Sequence, residues 1–248
     1  MKAAPVLAAG HGWALAAFPL VAALIAALFG VRLAARFAAR RRPFEGAWAV
    51  ALLMYSAASA AMFAGVLAGW NPATFRIYYL LGAVLNVPYL FLGELYLLSR
   101  RRWVAHLVAG LLLVGTAFAS WEIGTATLHE RFLSGALPLG REVFGSGSVP
   151  HRLAQYYSFP AYFLLLGGLV WSAAQMRGRP ELRHRVAGTM WIAVGATIVA
   201  IGSGIGAGFH VVPLFSVSLA VGIAAMYWGF LEAGRPARAG GVSTAGPR

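Results

Sequence analysis

Seven stretches of this chain are apolar enough, and nearly all long enough, to dictate helix in a lipid bilayer: Trp13 to Val31, Ala47 to Leu67, Ile77 to Leu98, Val104 to Ala119, Phe159 to Ala174, Val186 to Ala207 and Val211 to Phe230. About 20 apolar residues are what a helix needs to cross the hydrocarbon core. Lipid offers backbone N–H and C=O groups no partner, so each stretch has to satisfy them within itself. Trp103, Trp121, Tyr156 and Tyr157 flank the fourth and fifth stretches, the two shortest, and extend them as interfacial anchors. Only 11% of the 248 residues are charged, where a soluble domain carries about 25%. The expected fold is all-α: a polytopic bundle of seven transmembrane helices forming one domain over 1–232. Residues 233–248, rich in Gly, Pro and Ala, read as a short disordered cytosolic tail.

Basic residues give the bundle a direction. One set of connections holds Arg32, Arg36, Arg40, Arg41 and Arg42, then Arg100 to Arg102, then Arg177, Arg179, Arg183 and Arg185, then Arg235, Arg238 and Arg248; the other holds Lys2, Arg76, Arg131, Arg141 and Arg152. Fifteen against five is a strong positive-inside bias, placing the first set in the cytosol and the N-terminus outside. The formal charge of +13 is thereby spent at membrane boundaries, where it meets the anionic headgroups of the bilayer, and nucleic acid is not an expected partner. The first stretch reads as a retained helix, because its arginines follow the apolar run instead of preceding it.

The absence of cysteine removes disulfides, thiolate ligands and thiol nucleophiles. Aspartate is absent too, and the only lysine is Lys2, which excludes retinal held as a Schiff base in the last helix. The Gly202 to Ala207 run imitates a dinucleotide fingerprint, but no strand precedes it and no aqueous phosphate site exists within a membrane segment. Its glycines predict close helix approach at Gly202–Gly206 and Gly204–Gly208, beside a seven-residue stripe of Gly188, Gly195 and Gly202.

Glu94 is the one acidic residue inside an apolar stretch, about a turn from the cytosolic end of the third helix. An intramembrane carboxyl is costly and is a functional-site hypothesis by default; the competing reading is a structural ion pair, with Arg32, Arg101 and His106 at similar depth. The same helix carries a stripe of Tyr78, Gly82, Asn86, Tyr89, Gly93 and Tyr96, which reads either as the wall of a ligand pocket or polar path, or as a tight helix interface. Pro88 removes a backbone donor, so this helix is expected to bend there and free a carbonyl. Four histidines, His11, His129, His151 and His210, fall toward the outer face. With Glu122 or Glu130 they make a candidate zinc or copper site, although no local ligand spacing supports one, and no cofactor is predicted. The outer connection, from about Ser120 to Arg152, reads as a cap or as a plain connector.

The block Phe75 to Leu90 (FRIYYLLGAVLNVPYL), with Gly93 to Arg102, resembles the third-helix signature of an uncharacterised family of bacterial seven-helix membrane proteins. In topology alone the chain is similar to the seven-helix sensory region of some histidine kinases. The first likeness implies a multi-pass protein of a bacterial plasma membrane; the second implies sensing through a partner, since no kinase module is present. Three functional readings follow. The leading one is a small sensory or accessory protein that binds an apolar or amphipathic ligand and acts through a partner protein, or as a homo-oligomer. The others are a transporter or channel with a polar path at Glu94 and Asn86, and a metal-dependent membrane enzyme using the outer histidines.

Overall fold

A computed structural model of the chain describes residues 9–135, 137–207, 209 and 211–235. Among them are seven helices long and apolar enough to cross a membrane: α1 (Ala9–Arg40), α2 (Pro43–Ala68), α3 (Pro72–Leu98), α4 (Arg102–Thr125), α5 (Val149–Met176), α6 (Arg183–Ile205) and α7 (Val212–Ala233). No strand occurs among the described residues, so the chain is an all-α, multi-pass bundle. Several helices outrun the apolar stretches that announce them. α1 continues through Arg32, Arg36 and Arg40, with the Arg32 guanidinium over the Tyr227 ring and that of Arg36 over Phe230. α4 and α5 extend through Trp121 and through Tyr156 and Tyr157, as the interfacial aromatics implied. Of the tail expected after Glu232, the first residue remains helical, and residues 236–248 lie outside the described residues.

Six helices form a closed ring in the order α1, α2, α3, α5, α6, α7, with α4 packed outside against α3 and α5. α4 is the least enclosed span and turns Leu111, Leu113, Val114, Phe118 and Trp121 outward, the surface a lipid-facing helix needs.

α6 and α7 meet backbone to backbone. A Cβ added at Gly188 would run into the carbonyl oxygen of Gly229, one at Gly195 into that of Gly222, and one at Gly202 into the Ser218 side chain. The seven-residue stripe thus carries the close approach, matched by a stripe at the same spacing on α7. The Gly204–Gly208 pairing anticipated from sequence does not: Gly204 meets nothing within 4 Å, and Gly208 lies outside the described residues.

Away from the Arg-rich end, the connection between α4 and α5 is shorter than anticipated, because helix extends to Thr125 and resumes at Val149. It folds into a 3-10 turn (Glu130–Ser134) and a single helical turn (Gly140–Val143), tied by the His129 amide donating to Val143 O at 2.9 Å. Leu133, Leu137, Val143 and Phe144 are buried, and Phe144 packs on the rings of Phe75 and Tyr79. Arg76 Nη2 donates to Ala126 O at 2.8 Å, fixing the start of the connection to α3. The connection is therefore ordered and packed onto α3 by its own side chains.

Candidate functional site

The third helix changes its winding where the proline predicted a bend. Residues Tyr79–Leu85 form a π-helical segment, and ordinary α-helix resumes at Asn86. Pro88 has no N–H to give the carbonyl of Val84, four residues earlier. That carbonyl and its neighbour are taken up from outside the helix: Ser158 Oγ of α5 donates to Ala83 O at 2.6 Å and approaches Val84 O at 3.4 Å. π-segments of this kind are frequent at functional sites.

Beyond the π-segment, the predicted polar stripe divides between two neighbours. Its small members face α2: Gly82 packs against Ala58, Asn86 Nδ2 donates to Ala51 O at 2.7 Å, and Gly93 lies under the Trp48 indole. Trp48 Nε1 in turn donates to Leu90 O at 3.0 Å. Two tyrosines face α4: Tyr89 Oη is 3.1 Å from Thr116 Oγ1, and Tyr96 Oη is 3.0 Å from His106 Nδ1. Tyr78 packs edge-on against Trp70 and Phe215. Asn86, Tyr89 and Tyr96 thus hydrogen-bond to neighbouring helices, the arrangement by which polar side chains hold membrane helices together.

Glu94 is different. It is 2% exposed, on the same face of α3 as Leu90 and one turn nearer the Arg-rich end. Its side chain lies across Gly168 of α5: a Cβ there would stand 2.9 Å from Glu94 Cγ and 3.7 Å from Oε1. Among the described residues no ion pair or hydrogen bond reaches its carboxyl. Two cations that its depth brought forward are engaged elsewhere. Arg32 donates to Tyr227 Oη and lies over that ring, and His106 is on Tyr96. One turn along α3 from Glu94, Leu90 lines an apolar void of about 20 Å³ together with Phe29, Trp48, Leu52, Leu165, Ile192 and Met226, residues contributed by all six ring helices. A void lined so completely by apolar side chains offers water no partner and stays dry.

A second buried carboxylate was not singled out from sequence. Glu45, in the first turn of α2, is fully buried; its Oε1 accepts from Arg36 Nε at 2.9 Å, and its Oε2 has no partner. The signal was present: an acid in the first turn of a helix opened by Pro43, nine residues after an arginine. Nearby, Glu232 of α7 accepts from His184 Nδ1 at 2.6 Å and from Arg235 Nη1 at 2.7 Å.

Of the four histidines expected at the outer face, His129 Nδ1 is 3.1 Å from Val143 O within the α4–α5 connection, and His151 Nε2 is 3.3 Å from Gln155 Nε2 in the first turns of α5. The His11 side chain and all of His210 lie outside the described residues. Among the described residues no three His, Cys, Asp or Glu side chains gather to hold a metal.

Fold and site together define a multi-pass membrane protein with a six-helix ring, in which the Glu94 side chain of α3 lies against α5 and has no partner among the described residues. Compared with family models, curated proteins and solved structures, the chain matches none. The likeness of the Phe75 to Arg102 block to a bacterial seven-helix family therefore rests on those residues alone.

Proposed function

We propose that the chain is a small sensory or accessory membrane protein that receives an amphipathic ligand within the helix ring and acts through a partner protein. The Arg-rich end faces the cytosol of a bacterium by the positive-inside rule. Glu94 carries the reading. A carboxylate removed from water without a counter-charge costs several kcal/mol, whereas Asn86, Tyr89 and Tyr96 on the same helix are hydrogen-bonded to neighbouring helices. A carboxyl left open in such surroundings is free to take up a group that arrives, and a donor or cationic group on an otherwise apolar molecule is the chemistry that suits it. The 20 Å³ void is too small for such a molecule, so reception requires the ring to part. The π-segment and Pro88 give α3 a place to bend.

Two measurements on protein taken from its native membranes test this reading. Co-purification in mild detergent is expected to recover one protein in stoichiometric amount with the wild type and markedly less of it with Glu94→Gln. Recovery of the chain alone under several conditions would overturn the reading. A solute flux in proteoliposomes that Glu94→Gln abolishes would replace it with transport.

A further inference from the structure

The Arg-rich end of the ring holds a cavity of about 460 Å³ lined by Arg36, Arg40, Arg42, Arg185 and Arg235, with Glu181 and His184. These residues come from α1, the α1–α2 turn, the start of α6 and the end of α7, helices that the ring brings together. Two of the five guanidiniums are committed, Arg36 to Glu45 and Arg235 to Glu232. No ion pair or side-chain hydrogen bond reaches Arg40, Arg42 or Arg185 among the described residues. Set against Glu45, Glu181 and Glu232, the five arginines leave two positive charges over, with His184 counted as neutral.

Two backbone features converge on the same place. Arg41, between the two free arginines of the turn, has φ 52°, the only positive φ on a non-glycine among the described residues. A left-handed residue closing a helix is ordinarily glycine, and a side chain there costs about 1 kcal/mol. This chain has 30 glycines yet places arginine at the turn, which holds Arg40 and Arg42 along the cavity wall. Opposite them α6 begins, with no side chain capping its first turn. The positive end of a helix dipole favours an anion.

We infer that this cavity binds a phosphate-bearing anion, either the headgroup of an anionic lipid or a soluble phosphorylated molecule, held by Arg40, Arg42 and Arg185 at the start of α6. The planar guanidinium donates two parallel hydrogen bonds to phosphate, and basic pockets between membrane helices are where anionic headgroups are recognised. The site stands independently of Glu94. It also differs from the other basic cluster at this end, Arg100 to Arg102, which is equally dense and exposed but lines no part of this cavity.

That second cluster supplies the control. The full chain, in neutral detergent, is compared as wild type, as Arg40→Gln/Arg42→Gln/Arg185→Gln, and as Arg100→Gln/Arg101→Gln/Arg102→Gln, which removes the same charge from the same end. One arm measures retention of phosphatidic acid against phosphatidylcholine by native mass spectrometry. The other measures the unfolding temperature in sodium phosphate against sodium chloride at equal ionic strength. The cavity variant is expected to lose roughly tenfold in retention, in phosphate stabilisation, or in both, while the control changes by less than about twofold. Loss in the lipid arm alone identifies a headgroup; loss in the phosphate arm identifies a soluble ligand. Equal losses in the two variants, or a wild type indifferent to phosphate in both arms, would overturn the site. All six substituted side chains are exposed; if the cavity variant unfolds nonetheless, Arg185→Gln alone is read by the same comparison.

Discussion

Glu45 and Glu94 are buried to nearly the same degree, 0% and 2% exposed, on helices that pack against each other near the Arg-rich end. Glu45 has Arg36 at 2.9 Å; Glu94 has no partner among the described residues. The chain carries 20 basic residues, most of them at this end, so a counter-charge for Glu94 was available within the fold. Instead Arg32 goes to Tyr227 and His106 to Tyr96. The contrast separates two states of a buried acid: Glu45 fastens α1 to α2, and Glu94 fastens nothing among the described residues, which is the basis of the role proposed for it.

Removing the cation from the paired acid is the strongest way to break the comparison. Arg36→Ala leaves a fully buried carboxylate without its partner and removes the guanidinium stacked over Phe230 at 5.0 Å. Losing one partner of a fully buried pair costs 3–5 kcal/mol; with Arg36 38% exposed and screened by solvent, the expected loss is about 2 kcal/mol, read as a lowered unfolding temperature in detergent. A smaller change sharpens the other side. Ser158→Ala takes the donor from two carbonyls that the π-segment and Pro88 leave open, an expected loss of about 1 kcal/mol. It should also speed hydrogen exchange in α3 around residues 83–88 while leaving α6 and α7 unchanged. Equal exchange in both proteins would mean that Ser158 does not hold the segment.

Much of this arrangement was legible in the sequence, for physical reasons that differ from place to place. The seven spans follow from additive, local hydropathy, and the break in α3 follows from the missing donor of Pro88. The heptad stripe on α6 was visible as well. Its partner, Gly222 and Gly229 at the same spacing on α7, acquires meaning only once the two helices are known to be adjacent. Glu45 escaped attention because it precedes the apolar run beginning at Ala47, where an acid reads as a boundary residue; only the antiparallel return of α2 against α1 buries it. The basic cavity was invisible for the same reason. Its arginines belong to three separate connections, each of which, taken alone, is an ordinary topogenic cluster. The capture of the Ala83 and Val84 carbonyls by Ser158 is a tertiary event that no local pattern announces.

The smallest expected effect is the most telling. If Glu94 is held open for an incoming group and has no structural duty, Glu94→Gln, which keeps its shape and removes its charge, should unfold within about 1 kcal/mol of wild type. Measured by thermal unfolding of the full chain beside Arg36→Ala, it is predicted to match or exceed the wild-type unfolding temperature while Arg36→Ala falls clearly below it. A Glu94→Gln protein destabilised as much as Arg36→Ala would show that Glu94 is a structural residue like Glu45, and would contradict the account.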